Sequence, residues 1–259
     1  MIALDIDGTI VDRSGIVSNR LKDATDKARI AGIRIVLATG RGFLASSSVT
    51  RALSLDGLII NYGGGLINDI ETGSTVKANA LEPGTVRTAL QLGKEMDIHI
   101  HLYQKDTVVC AQSDPYLHRY INHLGLPYRI EPNITVTEWR NVPKVLAMVP
   151  VDKEEYYRTV FSQKLKGIAE VSGTEPGFIE INSFNASKGE ALSFVADYYG
   201  IQRESVAAIG DSYLDMSMIE WAGSGIAMGN AVPAVKEIAD MIIGPVDEDG
   251  VAHYIETLL

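Results

Sequence analysis

Short runs of apolar residues alternate along this chain with stretches of helical periodicity. A helix is predicted from Ser18 to Ala31, with Ser18 as its N-cap and Gly32 as its end. Near-continuous apolar strands that alternate with helices predict a parallel sheet with helices on both faces, a Rossmann-like α/β core. The apolar runs that we interpret as strands of this core cover residues 2–4, 33–38, 57–60, 206–209, 226–228 and 241–243.

The middle of the chain has a different pattern. Apolar runs at 98–103 and 107–111, separated by Lys105-Asp106, predict a β-hairpin. Further strand-like runs follow at 144–149 and 178–181. Helices mixed with antiparallel strands indicate an α+β domain inserted into the parallel one. We therefore expect one domain made of residues 1–78 and 185–259, and a second domain made of residues 79–184.

Composition and charge narrow the class of protein. Hydrophobic residues make up 46% of the 259 residues, enough for a sizeable core. The net charge of -10 and pI of about 5.0 argue against nucleic acid and anionic membranes as partners. The first residues do not resemble a signal peptide, and no apolar run is long enough to span a membrane. The single cysteine, Cys110, allows no intramolecular disulfide, so we expect a soluble cytoplasmic protein.

Two carboxylates follow the first predicted strand. Asp5 and Asp7 are two residues apart and therefore point to the same side of an extended chain, and Gly8 allows a sharp turn after them. Carboxylates this close repel one another unless they share a proton or a cation, and a hard cation such as Mg²⁺ prefers oxygen ligands. The alternative is a pair of exposed aspartates in an ordinary Asp-Gly turn.

Further polar residues lie after the second predicted strand and at the start of a predicted helix. Thr39, Gly40 and Arg41 come after the second strand, where a hydroxyl and backbone N–H groups could face an anion. Ser187 and Glu190 have the spacing of a capping box, which places Lys188 in the first turn of a helix. A lysine there opposes the helix dipole, and a neighbouring anion would explain it. The alternatives are that Lys188 is simply exposed to solvent and that Thr39 and Gly40 form an ordinary turn.

A second pair of carboxylates, Asp211 and Asp215, follows the strand predicted at 206–209. Either could simply cap the helix that begins there. The carboxyl ends of parallel strands meet at one edge of a sheet, so we expect both pairs, Thr39 and Lys188 to lie close together. Such a set could supply a nucleophile, a metal site and a positive clamp for a phosphoryl group.

These motifs resemble those of the haloacid dehalogenase-like phosphatase superfamily, in particular its Cof-type branch (type IIB), which carries a large C2-type cap. The resemblance covers nearly the whole chain, and the inserted residues 79–184 correspond to the cap that selects the substrate. The matching segments, in order, are Asp5-Ile6-Asp7-Gly8-Thr9, Ala38-Thr39-Gly40-Arg41, Ser187-Lys188-Gly189, Gly210-Asp211-Ser212-Tyr213-Leu214-Asp215 and Ala227-Met228-Gly229-Asn230-Ala231.

The resemblance implies a role for each of these residues. Asp5 attacks phosphorus to form an aspartyl-phosphate, and Asp7 protonates the leaving oxygen and then activates water. Thr39 and Lys188 hold the phosphoryl oxygens. It also implies that Mg²⁺ is held by Asp5, the backbone carbonyl of Asp7, and Asp211.

Four further residues near these motifs are expected to contribute to the site. Asp215 would support the metal through water or indirect contacts. Gly40, Arg41 and Asn61 are candidate substrate-binding residues at the same edge.

One position departs from the family pattern. Many Cof-type members carry asparagine where this chain has Leu214, and that residue is often assigned to substrate contact. Leucine cannot form a hydrogen bond, so the substrate is held differently or the activity is altered.

The histidines are weaker candidates. His99 and His101 share a face of one predicted strand, and with His118 and His123 they could suggest a metal site. Their spacing matches no known ligand set, so we interpret them as surface or cap-pocket residues.

The function expected from the sequence is a Mg²⁺-dependent phosphatase acting on small phosphorylated metabolites such as sugar phosphates, nucleotides or cofactor phosphates, as a monomer or homodimer. A phosphohexomutase or other phosphotransferase would share Asp5 and Asp7 but protect the phosphorylated aspartate from water. A phosphate-binding regulatory protein with little turnover is the third possibility, for which Leu214 is the only hint.

Overall fold

The structure is a computed structural model that describes residues 1–12, 15–173 and 176–259. It divides into two compact units. The first combines Met1–Lys77 with Ser187–Leu259, and the second is Ala78–Ala186.

The described residues contain fourteen strands in three sheets. In chain order they are β1 (Ile2–Leu4), β2 (Ile35–Leu37), β3 (Leu58–Asn61), β4 (Leu66–Asp69), β5 (Thr75–Ala78), β6 (His99–Gln104), β7 (Thr107–Cys110), β8 (Tyr128–Ile130), β9 (Lys144–Met148), β10 (Glu170–Gly173), β11 (Phe178–Asn182), β12 (Ala207–Gly210), β13 (Ser224–Ala227) and β14 (Met241–Ile242).

Nine α-helices lie within the same described ranges. They are α1 (Asn19–Ile30), α2 (Phe43–Ala52), α3 (Pro83–Glu95), α4 (Pro115–Leu124), α5 (Glu154–Lys164), α6 (Lys188–Tyr198), α7 (Met216–Trp221), α8 (Pro233–Ile238) and α9 (Gly250–Glu256). The predicted cap of α1 is confirmed, because the hydroxyl of Ser18 accepts a hydrogen bond from the N–H of Leu21. Gly32 has a φ of +82° two residues beyond the end of α1, a conformation that glycine adopts without strain.

A five-stranded parallel sheet forms the centre of the first unit, in the order β14-β13-β12-β1-β2. Leu4 at the end of β1 pairs with Leu37 on one side and with Ile209 on the other. All three side chains are completely buried. This arrangement confirms the predicted α/β fold, in which strands buried on both faces consist of continuous apolar residues.

The third predicted strand is not a sixth strand of this parallel sheet. β3 pairs antiparallel with β4, and β5 completes a separate three-stranded sheet. An isolated parallel bridge between Ala38 and Ile60 joins β3 to the chain just beyond β2. The turn after Asn61, at Tyr62–Gly64, therefore still lies next to the residues that follow β2.

The second unit is built on a mostly antiparallel six-stranded sheet, in the order β10-β11-β9-β6-β7-β8. The predicted hairpin is confirmed in β6 and β7, where Gln104 pairs with Thr107. Lys105 and Asp106 between them have φ angles of +50° and +47°, as a tight two-residue hairpin turn requires. Helices α3 and α5 contribute Leu90 and Phe161 to an apolar core under this sheet.

The parallel sheet determines where the polar motifs meet. Asp5 follows β1, Thr39 lies just beyond β2, Asn61 ends β3 and Asp211 follows β12. Parallel neighbours end at the same edge, so Asp5, Thr39 and Asp211 come together at the carboxyl edge of the sheet. The parallel bridge between Ala38 and Ile60 brings Asn61 next to Thr39. None of the described helices is both long and apolar enough to cross a bilayer.

Candidate active site

Asp5 and Lys188 form a buried ion pair at the carboxyl end of β1. The Nζ atom of Lys188 donates a hydrogen bond to Asp5 Oδ1 at 2.6 Å and another to Asp215 Oδ1 at 2.5 Å. Lys188 and Asp215 are completely buried, and Asp5 is 4% exposed. The lysine therefore connects the carboxylates that follow two different strands, β1 and β12.

The position of Lys188 in its helix is explained by this pair. The hydroxyl of Ser187 accepts a hydrogen bond from the N–H of Glu190, so the predicted capping interaction starts α6 and places Lys188 in its first turn. A cation at a helix N-terminus is unfavourable by a few tenths of a kcal/mol to about 1 kcal/mol. The contacts with Asp5 and Asp215 outweigh that cost, and the anion expected beside this lysine is present.

The charges in the cluster do not balance. Asp5, Asp211 and Asp215 each offer a carboxylate oxygen, and these oxygens lie within 4.8 Å of one another. Lys188 is the ammonium group that pairs with two of them. The cluster therefore has surplus negative charge unless it takes up protons or a cation.

The pKa values show the same imbalance. Burial raises the pKa of Asp5 to about 7, and the nearby Asp215 adds to the rise while Lys188 opposes it. Burial also raises the pKa of Asp211 to about 6, with a further contribution from Asp215. Burial alone would lower the pKa of Lys188, but the charges of Asp5 and Asp215 outweigh it and raise that pKa.

Asp215 holds the loop that carries Asp211. Its Oδ2 atom accepts hydrogen bonds from the backbone N–H of Asp211 at 3.0 Å and from the N–H of Ser212 at 2.9 Å. The hydroxyl of Ser212 donates to the same oxygen. Since Oδ1 accepts from Lys188, both oxygens of Asp215 are occupied. Asp215 is therefore better suited to support a metal site than to bind a metal directly.

Asp211 has the free acceptor that a metal would need. Its Oδ1 atom is buried and makes no hydrogen bond within the described residues. The carboxylate lies against the turn at Gly8, where an added Cβ would come within 2.3 Å of Asp211 Oδ2. Gly8 also has a φ of +80°, so a side chain at this position would be both strained and in collision. The free Asp211 oxygen, buried Asp5 and surplus charge together fit a hard divalent cation.

Asn230 completes this region, although its motif was noted in the sequence without a role for the side chain. Its Nδ2 atom donates to the carbonyl of Gly8 at 2.8 Å and lies 3.4 Å from Asp211 Oδ2. Its Oδ1 atom accepts from the N–H of Val246. Asn230 thus holds the turn after Asp7 against the carboxylate of Asp211. A single asparagine in a turn gives no periodic pattern from which this contact could be predicted.

Asp7 lies outside the buried cluster. Its side chain is 62% exposed and pairs with Arg41 through both carboxylate oxygens. The distances are 2.9 Å from Arg41 Nε to Oδ2 and 2.5 Å from Nη2 to Oδ1. Hydrogen bonding to Asp7 raises the pKa of the guanidinium. The sequence predicted both residues at this edge but gave no indication that they bind each other.

The remaining substrate-binding candidates lie in the loops after β2 and β3. Thr39 is buried, and its hydroxyl accepts a hydrogen bond from the N–H of Arg41, with Gly40 between them. Asn61 is also buried, and its amide donates to the carbonyl of Arg41 and to Ser46 Oγ. Its Oδ1 atom accepts from Asn68 Nδ2. Through these hydrogen bonds, Asn61 holds the loop that carries Arg41 in place. They do not support the expected contact between Asn61 and the substrate.

Two of the histidines form a buried chain in the second unit. His99 Nδ1 lies 2.6 Å from Asp114 Oδ2, and His99 Nε2 lies 2.9 Å from His101 Nδ1. Burial lowers the pKa of His101 well below its usual value, and its Nε2 atom has no hydrogen-bond partner within the described ranges. His118 contacts Ser113, and the side chain of His123 lies outside the described residues.

Among the side chains that the structure describes, the aspartate cluster is the group with metal-ligand geometry, and the histidines form none. Cys110 is buried in β7, as expected for a small apolar residue of a strand.

Comparison with known proteins places this geometry in a family. The family model described as haloacid dehalogenase-like hydrolase matches residues 2–255. The Bacillus subtilis 5-amino-6-(5-phospho-D-ribitylamino)uracil phosphatase YwtE is 31% identical over 288 residues, covering 100% of this chain and 97% of that protein. A second B. subtilis protein of the same activity name, YitU, is 28% identical over 265 residues, with 99% and 96% covered.

A solved structure agrees with these relatives. The crystal structure of a haloacid dehalogenase-like hydrolase from Bacteroides thetaiotaomicron has a TM-score of 0.89 and is 32% identical, covering 100% of this chain and 98% of that one. The resemblance found in the motifs is thereby confirmed along the whole chain. The chain belongs to the haloacid dehalogenase-like hydrolase family, as an enzyme of the phosphatase type.

Proposed function

We propose that this enzyme is a Mg²⁺-dependent phosphatase that hydrolyses small phosphate monoesters through a phosphorylated aspartate, with Asp5 as the nucleophile. The observation that carries the proposal is the set formed by three buried residues, Asp5, Lys188 and Asp215, and the partly buried Asp211 at the carboxyl edge of the sheet. Asp5 lies next to the ammonium group of Lys188, which can balance the negative charge of phosphoryl oxygens. Asp211 Oδ1 is buried and has no hydrogen-bond partner among the described residues.

In the first step, a carboxylate oxygen of Asp5 attacks phosphorus and the bond from phosphorus to the leaving oxygen breaks. The proton of the Asp7 carboxyl group goes to that oxygen. In the second step, Asp7 takes a proton from water, the water oxygen attacks phosphorus, and the bond between phosphorus and the Asp5 carboxylate oxygen breaks. Inorganic phosphate leaves, and Asp5 and Asp7 return to their starting states.

Asp5 and Asp211 are the carboxylates that would hold the metal, with the backbone carbonyl of Asp7 as a third ligand implied by the family resemblance. A bound Mg²⁺ would stabilise the negative charge that develops on the phosphoryl oxygens. Asp215 would act through its contacts with Lys188 and with the backbone of the Asp211 turn. Lys188 and Thr39 would bind the phosphoryl oxygens themselves.

Arg41 adds a condition to the proton transfer. Both oxygens of Asp7 accept hydrogen bonds from the guanidinium, so at least one of these bonds must open, and that oxygen must bind a proton, before Asp7 can donate to a leaving oxygen. An arriving phosphate is a strong alternative partner for arginine, since its oxygens match the guanidinium geometry. Substrate binding would therefore release Asp7 at the point where it is needed.

The proposed substrates are small phosphorylated metabolites. Both B. subtilis relatives described above are named as 5-amino-6-(5-phospho-D-ribitylamino)uracil phosphatases, so this compound belongs in any substrate panel. The inserted domain, expected at 79–184, is the cap to which the family resemblance assigns the choice of leaving group. We expect changes in this unit to alter the ranking of substrates without removing the chemistry.

The test is phosphate release from p-nitrophenyl phosphate by wild type, Asp5→Asn and Asp23→Asn, each with Mg²⁺ and with EDTA. Asp5→Asn removes the nucleophile, whereas Asp23 is an exposed residue of α1 and serves as the matched control. We expect activity only in wild type and Asp23→Asn, and only with Mg²⁺. Full activity in EDTA would exclude the metal, and turnover by purified Asp5→Asn would exclude this nucleophile.

A further inference from the structure

The turn between β13 and α8 is bonded to two parts of the candidate metal site. The side chain of Asn230 binds the carbonyl of Gly8, in the turn after Asp7, and lies beside the carboxylate of Asp211. Two residues further along, the N–H of Val232 donates to the backbone carbonyl of Asp211 at 2.9 Å. The geometry of this turn therefore determines how the segments after β1 and β12 face each other.

Lys236 reaches this turn from the helix that follows it. Its Nζ atom donates a hydrogen bond to the carbonyl of Gly229 at 2.6 Å. Lys236 lies in the last turn of α8, and helix side chains lean toward the N-terminus, so this one extends back to the residues before the helix. The lysine is partly buried, and a bond from an ammonium group is stronger than one between neutral groups.

The contact with Gly229 acts on the backbone of Asn230. The Gly229 carbonyl and the Asn230 N–H belong to one planar peptide group, so a bond to the carbonyl orients the whole group. On the other side, the N–H of Val246 donates to Asn230 Oδ1 at 2.9 Å. Lys236 thus fixes the peptide from which the Asn230 side chain extends to Gly8 and Asp211.

The positive charge of Lys236 has an effect of the opposite sign. A cation near the site repels Mg²⁺, so removal of the charge by itself would strengthen Mg²⁺ binding. Loss of the support would weaken Mg²⁺ binding, because residues that orient metal ligands contribute to metal affinity. The direction of the change therefore separates the two roles of this lysine.

We propose that Lys236 is a positioning residue of the metal site, which acts through the Gly229–Asn230 peptide and increases the affinity for Mg²⁺. The inference rests on the proposed Mg²⁺-dependent phosphatase function and assigns a supporting residue to that same site.

The experiment titrates Mg²⁺ into EDTA-stripped protein by isothermal titration calorimetry, and follows p-nitrophenyl phosphate hydrolysis at each Mg²⁺ concentration. Lys236→Met keeps the apolar stem and removes the donor, whereas Lys236→Arg keeps a charged donor. Glu237→Gln changes the charge of the exposed neighbour on α8 and is the matched control. Lys236→Ala takes the place of the methionine variant if circular dichroism shows that the latter is unfolded.

We expect Lys236→Met to raise the Kd for Mg²⁺ about tenfold or more, while kcat at saturating Mg²⁺ stays close to that of wild type. Lys236→Arg should restore most of the affinity, and Glu237→Gln should stay within about twofold of wild type. In an Asn230→Ala background, Lys236→Met should add less than about a further twofold, because both residues act on one peptide.

Two results would overturn the inference. A Lys236→Met protein that binds Mg²⁺ as tightly as wild type, or more tightly, would show that Lys236 acts through its charge alone. A full additional loss in the Asn230→Ala background would show that Lys236 does not act through Asn230. Wild type that binds no Mg²⁺ would refute the proposed metal dependence itself, and this inference with it.

Discussion

Replacement of Lys188 by methionine should damage stability and activity together. The Lys188 side chain is completely buried and binds Asp5 and Asp215 at 2.6 and 2.5 Å. Methionine fills much the same volume but leaves two buried carboxylates without their cation. Removal of one partner from a buried ion pair costs about 3–5 kcal/mol.

This loss can be measured as a shift in melting temperature. For a chain of this size, each kcal/mol corresponds to about 2–4 °C, so Lys188→Met should melt roughly 6–20 °C below wild type in EDTA. Added Mg²⁺ should restore part of the difference, because a cation replaces some of the lost positive charge. Differential scanning calorimetry of both proteins in EDTA and in Mg²⁺ measures the shift and its recovery.

The same variant should lose activity evenly across substrates. Lys188 is proposed to bind the phosphoryl group, which all substrates share, so kcat/KM should fall by a similar factor for each of them. Lost oxyanion donors indicate a factor on the order of a hundredfold or more. Phosphate release from at least three chemically different esters, followed at saturating Mg²⁺, gives the factors.

Lys27→Met is the control for this experiment, since Lys27 is an exposed lysine of α1. It should change stability by less than about 0.5 kcal/mol and leave turnover as it is. A Lys188→Met protein that melts within about 2 °C of wild type would contradict the assigned ion pair. A loss confined to one ester would show that Lys188 selects the leaving group and does not bind the phosphoryl group.

Three further outcomes follow from the structure. Asp5 and Asp211 have folded-state pKa values of about 7 and about 6, above the ordinary 3.8, so the folded protein holds protons that the unfolded chain releases. The stability of the metal-free protein should therefore fall as pH rises from about 4 to about 7. The increase in melting temperature on adding Mg²⁺ should be larger at about pH 7.5 than at about pH 5. An increase that does not depend on pH would contradict this expectation. Asn230→Ala removes the link between Gly8 and Asp211 and should raise the Mg²⁺ concentration for half-maximal activity about 10–100-fold, whereas an unchanged concentration would show that the link is dispensable. The pKa of His101 lies well below its usual 6.5, so below about pH 6.5 the unfolded chain binds a proton at this histidine that the folded protein does not bind. His101→Gln should therefore reduce the loss of stability in acid, measured by urea unfolding at several pH values. If the variant loses as much stability in acid as wild type, the loss comes from other groups.

The sequence predicted the parallel sheet and the edge at which the site lies, for one physical reason. Strands buried on both faces must be continuously apolar, and Asp5, Thr39 and Asp211 come directly after such strands. Parallel strands bring those ends together whatever the lengths of the intervening segments. Lys188 was predicted by a different route, since a cation in the first turn of a helix needs an anion to offset the dipole.

Other features depended on side-chain contacts that no period in the sequence encodes. The pairing of Arg41 with Asp7 joins residues 34 positions apart, and either could have been an ordinary surface charge. The hydrogen bond between Asn61 and Asn68 exists because β3 pairs antiparallel with β4, and the apolar residues of β3 did not distinguish this pairing from a parallel one. The side chain of Leu214 lies against Gly40 and Gly63, which approach it from two other loops.

The central claim is that Asp5 carries the phosphoryl group between the two steps. Wild-type enzyme is mixed with a substrate bearing labelled phosphorus in the presence of Mg²⁺ and quenched in acid within milliseconds, and its peptides are then analysed by mass spectrometry. We predict that one phosphoryl group is found on the peptide containing Asp5, that it disappears as turnover ends, and that Asp5→Asn never acquires it. Turnover with no phosphoryl group on any peptide, or with the group on a residue other than Asp5, would contradict the account.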